Sequence, residues 1–92
     1  MSFYLKDPNS RIDYTVDWRG YLDGQIVAVS AWSVSPDEAG GVAIEAESFD
    51  LERAAVTLSG GVAGQVYAVA NRVTLSDESV DERTLTIRVE GR

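Results

Sequence analysis

The chain contains no cysteine, no histidine and a single lysine, Lys6. Without cysteine there is no disulfide, no thiolate metal site and no thiol nucleophile. Without histidine the commonest general base and metal ligand is missing. Serine and threonine are plentiful, but a hydroxyl attacks only when a neighbouring base takes its proton. Lys6 lies close to the N-terminus, so no buried lysine is expected to supply that base. The sequence therefore offers no catalytic, cofactor-binding or metal-binding set, and the chain is not expected to be an enzyme.

Long apolar runs are missing too. No stretch approaches the roughly 20 apolar residues that a spanning helix needs. The start, Met1-Ser2-Phe3-Tyr4-Leu5-Lys6-Asp7-Pro8, lacks the apolar centre of a signal peptide. Basic charge is scarce: eight Lys and Arg face fifteen Asp and Glu, for a net charge of −7. A polyanion is bound by displacing its counterions with Lys and Arg, so neither nucleic acid nor an anionic membrane is expected as a partner. The acidity favours solubility and steers toward a basic protein surface. The lack of cysteine agrees with synthesis in a reducing cytoplasm.

What is present is a chain of 92 residues, of which 45% are hydrophobic. That length fits one domain, 1–92, with one modest core. Val, Ala, Leu and Ile dominate, with two Trp and four Tyr. Valine and tyrosine suit a pleated, half-buried surface. Apolar and polar residues alternate, and Gly, Pro, Asp, Asn or Ser breaks the alternation roughly every 8–12 residues, the rhythm of a sandwich or barrel.

A short first segment, Ser2 to Lys6, ends at the turn Asp7-Pro8-Asn9-Ser10. In Arg11 to Trp18, Ile12, Tyr14, Val16 and Trp18 share one face and Arg11, Asp13, Thr15 and Asp17 the other. After a loop through Arg19 to Gly24, Ile26 to Val34 is the longest strand. Its first half, Ile26-Val27-Ala28-Val29, reads as apolar on both faces. Its second half sets Trp32 and Val34 apart from Ser33 and Ser35. Beyond the loop Pro36 to Gly41, Val42, Ile44 and Ala46 are expected to point one way and Glu45 and Glu47 the other. Ser48 to Leu51 either continues that strand or bends over the edge. Ala54 to Leu58 follows, with Val56 and Leu58 inward.

Gly60-Gly61-Val62-Ala63-Gly64 calls for backbone angles that a β-carbon forbids. It lacks the Lys-Ser/Thr ending and the helix of a phosphate loop, and is read as a turn that aims Tyr67. Gln65 to Leu75 places Tyr67, Val69, Val73 and Leu75 inward, with Asn71 interrupting. Ser76 to Glu82 is an acidic turn. The last strand, Arg83 to Val89, puts Leu85, Ile87 and Val89 inside and Thr84, Thr86 and Arg88 in water. Asp50 to Ala55 contains helix formers but is too short to be a helix unaided. The sum is six or seven strands in two antiparallel sheets packed face to face.

Several residues invite a functional reading. Trp18 and Trp32 are either contact aromatics or core anchors, and the alternation favours the core. Asp13 and Asp17 share a strand face at a spacing of about 13 Å, too far for a paired-carboxylate mechanism, and read as a solvated face. Asp77, Glu78, Asp81 and Glu82 cluster in one turn. Their spacing matches no calcium loop, so whether they bind a cation stays open beside the plainer reading of an acidic hairpin turn. Asn71 is expected to bond backbone inside the sheet. Arg53, Arg72, Arg83 and Arg88 are scattered, either interface anchors or solvated strand faces.

Two resemblances add to this. Gly64-Gln65-Val66-Tyr67-Ala68-Val69, with Thr84-Leu85-Thr86-Ile87-Arg88-Val89, resembles the closing hairpin of immunoglobulin-like domains. Tyr67 falls where they place a tyrosine corner, whose hydroxyl bonds nearby backbone. The fold that this implies is an all-β, immunoglobulin-like antiparallel β-sandwich.

The chain also resembles a family of small tailed-phage virion proteins, the fiber–tail adaptors. Asp7-Pro8, Asp13-Tyr14-Thr15-Val16-Asp17-Trp18, and Ala31-Trp32-Ser33-Val34 before Pro36 carry the likeness. So do Leu58 to Tyr67, Asn71-Arg72-Val73-Thr74 and Asp81 to Val89. It does not extend over Asp37 to Arg53. The resemblance implies a bacteriophage structural protein of the virion tail that joins tail or baseplate to fiber. It also implies partners among tail, baseplate and fiber proteins, and a homo-oligomer in the assembled particle. An alternative is an immunoglobulin-like carbohydrate- or surface-binding module, whose signature would be Tyr4, Trp18 and Tyr21 on one exposed patch.

Overall fold

A computed structural model describes residues 2–90; Met1, Gly91 and Arg92 lie outside the described residues. Seven strands run in order: β1 (Ser2–Lys6), β2 (Ile12–Asp17), β3 (Val27–Ser35), β4 (Val42–Phe49), β5 (Arg53–Gly60), β6 (Val66–Leu75) and β7 (Val80–Val89). A 3-10 turn, Arg19–Tyr21, joins β2 to β3. The last strand starts at Val80, so the acidic turn is shorter than the sequence suggests, and Asp81 and Glu82 belong to β7.

One sheet has the order β1-β7-β6-β3 and the other β2-β5-β4. Strand pairs are antiparallel except β1 with β7, which is parallel. The expected antiparallel sandwich is thus found, with the β1–β7 pair as the one parallel pairing among the described strands. β1 and β2 do not form a hairpin, because the chain crosses between sheets at Asp7–Ser10. β1 then pairs with the last strand, and the intervening chain supplies the long crossover that parallel pairing requires. With sequential strands lettered A to G, the sheets are B-E-D and C-F-G with A beside G, an immunoglobulin-like sandwich.

Period-two alternation decides the core. Tyr67, Val69, Asn71, Val73 and Leu75 are all buried along β6, as are Leu85, Ile87 and Val89 along β7. Val16, Trp18, Val56 and Leu58 close the core from the other sheet. Truncating a fully buried member such as Leu58 or Ile87 to alanine costs about 2–5 kcal/mol.

Two bulges break the alternation. Val27 pairs with Leu75 but Val29 with Thr74, so Ala28 is the extra residue. The bulge turns Val29 outward, and the half-strand expected to be apolar on both faces buries only Val27. Ile44 pairs with Leu58 but Ala46 with Thr57, so Glu45 is extra. Ala46 therefore joins the outer face, and Glu47 comes to lie opposite the inward-facing Val56. Glu47 stays exposed because β4 is an edge strand.

The sandwich is elongated, 43 × 20 × 18 Å. Turns β2–β3, β4–β5 and β6–β7 gather at one end, where Val27 N–H donates to Leu51 O and Ser76 N–H to Ile26 O, both over 2.9 Å. Turns β1–β2, β3–β4 and β5–β6 gather at the other, where Gly61 N–H donates to Gly40 O over 3.1 Å.

Candidate docking surfaces

At the Gly61 end, Tyr67 forms the expected corner. Its ring is buried at the start of β6, and its hydroxyl accepts from Val62 N–H at 3.0 Å. The same hydroxyl donates to Glu38 Oε1 at 2.7 Å. Burial, and then the Glu38 carboxylate, push the phenol above its ordinary pKa. The glycines make this geometry reachable. Gly61 has φ 118°, and a β-carbon there would stand 2.6 Å from Val89 Cγ2.

Lys6, unremarkable in sequence, is 2% exposed. The expectation of no buried lysine is thus corrected. β1 places Lys6 opposite Val89, on the inward side. Its ammonium donates to the carbonyls of Gly60 (2.6 Å), Ser10 (2.7 Å) and Asp7 (3.0 Å). Burial lowers its pKa while Asp7 opposes the shift. With three donors bound to three carbonyls, Lys6 ties β1, the β1–β2 turn and the end of β5 together and is not presented to a substrate. No alternation signals this burial in the sequence, since Tyr4, two residues earlier on the same side of β1, is itself exposed.

Between edge strands β3 and β4 lies a shallow cleft of about 460 Å³. Val34, Val42 and Ile44 form its apolar side and Asp37 and Glu38 its acidic lip. Among the described residues, none of its lining hydroxyls is hydrogen-bonded to a carboxylate that could activate it.

The remaining sequence candidates separate. Trp18 and Trp32 are both core residues, and the Trp32 indole N–H has no partner among the described residues. Trp18 Nε1 donates to Asn71 Oδ1 at 2.9 Å, while Asn71 Nδ2 donates to Ser30 Oγ (2.9 Å) and Ala31 O (3.3 Å). Asn71 therefore bonds mainly to side chains, with one backbone contact.

The aromatic platform of Tyr4, Trp18 and Tyr21 does not form. Trp18 is 1% exposed, Tyr21 stands edge-on to it at 5.9 Å, and Tyr4 packs on Tyr14 at 4.8 Å. Arg83 lies over the Tyr21 ring at 5.4 Å. Arg88 pairs with Glu90 at 3.0 Å.

The acidic residues are dispersed into local roles. Asp13 accepts from Thr57 Oγ1 at 2.6 Å. Asp17 pairs with Arg19 at 2.7 Å, which with the Arg19 backbone N–H pulls its pKa down to about 2. Asp77 accepts from Ser79 N–H (3.0 Å) and Ser79 Oγ (2.5 Å), and Asp81 from Glu82 N–H (2.8 Å). Among the described residues, no three acidic groups converge as a metal site would need.

At the Leu51 end, the β2–β3 and β4–β5 turns carry the exposed apolar side chains Tyr21, Ile26 and Leu51, and the β6–β7 turn carries Asp77 and Glu78. Asp50 accepts from Glu52 N–H and Arg53 N–H, each at 2.8 Å, which closes the β4–β5 turn. Ser76 Oγ donates to Gln25 Oε1 at 2.6 Å, joining the other two. The two sets of hydrogen-bonded turns lie at opposite ends of the elongated sandwich.

No curated protein matches the chain. A family model described as podophage GP4 fiber-tail adaptor protein gp77 matches residues 6–88, running through the stretch from Asp37 to Arg53 that the resemblance did not cover. Matched over nearly all its length, this sandwich with two built ends belongs to the podophage gp77 fiber-tail adaptor family.

Proposed function

We propose that this protein is a non-enzymatic connector in the virion of a tailed phage, holding the tail or baseplate to the tail fiber. The observation that carries the reading is the family match over residues 6–88. The geometry supports it. A connector needs two separated contact regions and a body that transmits force, and the rod is 43 Å long with hydrogen-bonded turns at both ends. The lysine that could serve as a base is held by three carbonyls, and the hydroxyls of Thr57 and Ser79 that donate to Asp13 and Asp77 do so at exposed positions outside any enclosed site. Repeated copies around a symmetric tail would make the protein multimeric in place, through contacts of the closed, symmetric kind.

Quantitative mass spectrometry of purified particles tests this. The expected result is the chain at a fixed ratio to tail and fiber proteins. Particles that carry fibers but not this chain would remove the proposal.

A further inference from the structure

The two ends differ in chemistry. Of the exposed large apolar side chains among the described residues, Tyr21, Ile26, Val29, Phe49, Leu51 and Val80 lie at or beside the Leu51 end. The backbone bonds from Val27 to Leu51 and from Ser76 to Ile26 hold the Ile26 and Leu51 segments side by side. Val29 and Val80 flank Thr74 in register and share one outward row leading to that end. An apolar grouping of this kind, rimmed by polar residues, marks a contact surface.

The rim is acidic in balance. Asp17, Asp23, Asp50, Glu52, Asp77 and Glu78 sit in or beside the same three turns, against Arg19, Arg53 and Arg83, of which Arg19 is paired with Asp17 and Arg83 lies over Tyr21. The turns are also fixed before any encounter, by the bonds of Asp50, Asp77 and Ser76. A surface already ordered loses little conformational freedom on binding.

We propose that this end docks a partner protein whose contact surface is apolar at its centre and edged with lysine and arginine. The proposal rests on the adaptor reading and adds which end binds and what kind of surface it binds. Charge decides the occupant. A second copy meeting tip to tip would oppose acidic rim to acidic rim, whereas a basic-rimmed partner pairs with it.

The test adds purified chain to phage particles assembled without it, then counts copies of the chain and of the fiber per particle. Leu51→Glu and Ile26→Glu place charge in the apolar centre at exposed positions. Each is expected to lower the count of the chain or of the fiber at least tenfold. The rim double variant, Glu52→Lys with Glu78→Lys, is expected to bind more weakly, and added salt to weaken wild-type binding. Thr15→Glu, exposed in the middle of β2, is the control and is expected to bind like wild type. Circular dichroism and Tm establish that every variant is folded.

Wild-type binding that Leu51→Glu and Ile26→Glu leave unchanged overturns the docking surface alone. A wild-type dimer in light scattering that Leu51→Glu dissolves assigns the end to a second copy and also overturns it. Wild-type chain that never joins the particles overturns the adaptor reading itself.

Discussion

The indole N–H of Trp18 reaches across the sandwich to the side-chain oxygen of Asn71, 2.9 Å away. Trp18 follows β2 in one sheet and Asn71 lies mid-β6 in the other, so this bond joins the two layers inside an otherwise apolar core. Removing either partner leaves a buried polar group unpaired. Asn71→Leu is expected to cost about 1–3 kcal/mol from the unpaired indole N–H and more from Ser30 and Ala31. Trp18→Phe adds a cavity. The double variant should lose less than the sum of the singles, because the orphaned groups disappear together. Urea unfolding with an unchanged m value measures this, and strict additivity would refute the coupling.

Tyr67→Phe removes one hydroxyl and with it the bonds to Val62 N–H and Glu38. The ring stays, so the core keeps its volume. The expected loss is about 1–3 kcal/mol, or a fall in Tm of roughly 4–8 °C per kcal/mol for a domain of this size. Amide exchange at Val62 should accelerate in the variant while exchange at Val69, in the middle of β6, follows only global stability.

Lys6→Met keeps the unbranched apolar stem of the buried side chain and deletes its ammonium group. Three carbonyls, of Asp7, Ser10 and Gly60, then lose their donor. The expected destabilisation is at least about 2 kcal/mol. It should appear first as fraying of β1, seen as faster amide exchange at Glu90, whose N–H donates to Lys6 O.

Acid weakens the fold through Asp17, Asp50 and Asp77. Arg19 holds Asp17 at about 2, and hydrogen bonds from the backbone of Glu52 and Arg53, and from Ser79, lower the other two. Folded pKa values below the unfolded value of about 3.9 mean that the unfolded chain binds more protons in this range. The stabilisation is therefore complete above about pH 4 and is lost as pH falls toward 2. Tm should be flat from pH 7 to 5 and drop below 4, and Asp17→Asn should show a shallower drop.

Glu47 stands opposite Val56 on the inward side of edge strand β4, yet remains exposed. An inward charge on an edge strand discourages a second chain from adding there. Glu47→Val is expected to raise self-association with concentration in light scattering without lowering Tm. A variant that stays monomeric over the same range as wild type would refute that role.

Six or seven extended segments and most of the inward faces were legible in the residues themselves. Alternation along β5, β6 and β7 reports a period of two, and the pleat of a strand enforces that period locally. Tyr67 could be placed as a corner because Gly64 to Val69 with Thr84 to Val89 resembles the closing hairpin of immunoglobulin-like domains. Absences were equally local: a missing histidine is missing in any fold. The tertiary structure alone decided the rest. Nothing near Ala28 or Glu45 announces a bulge, because the extra residue is defined by the partner strand that lacks it. The burial of Lys6 depends on β1 lying parallel to β7, and the Trp18–Asn71 bond on two sheets closing over each other. Periodicity is a property of neighbours in the chain, whereas register and hydrogen bonding across the core are properties of segments that meet only when the chain has folded.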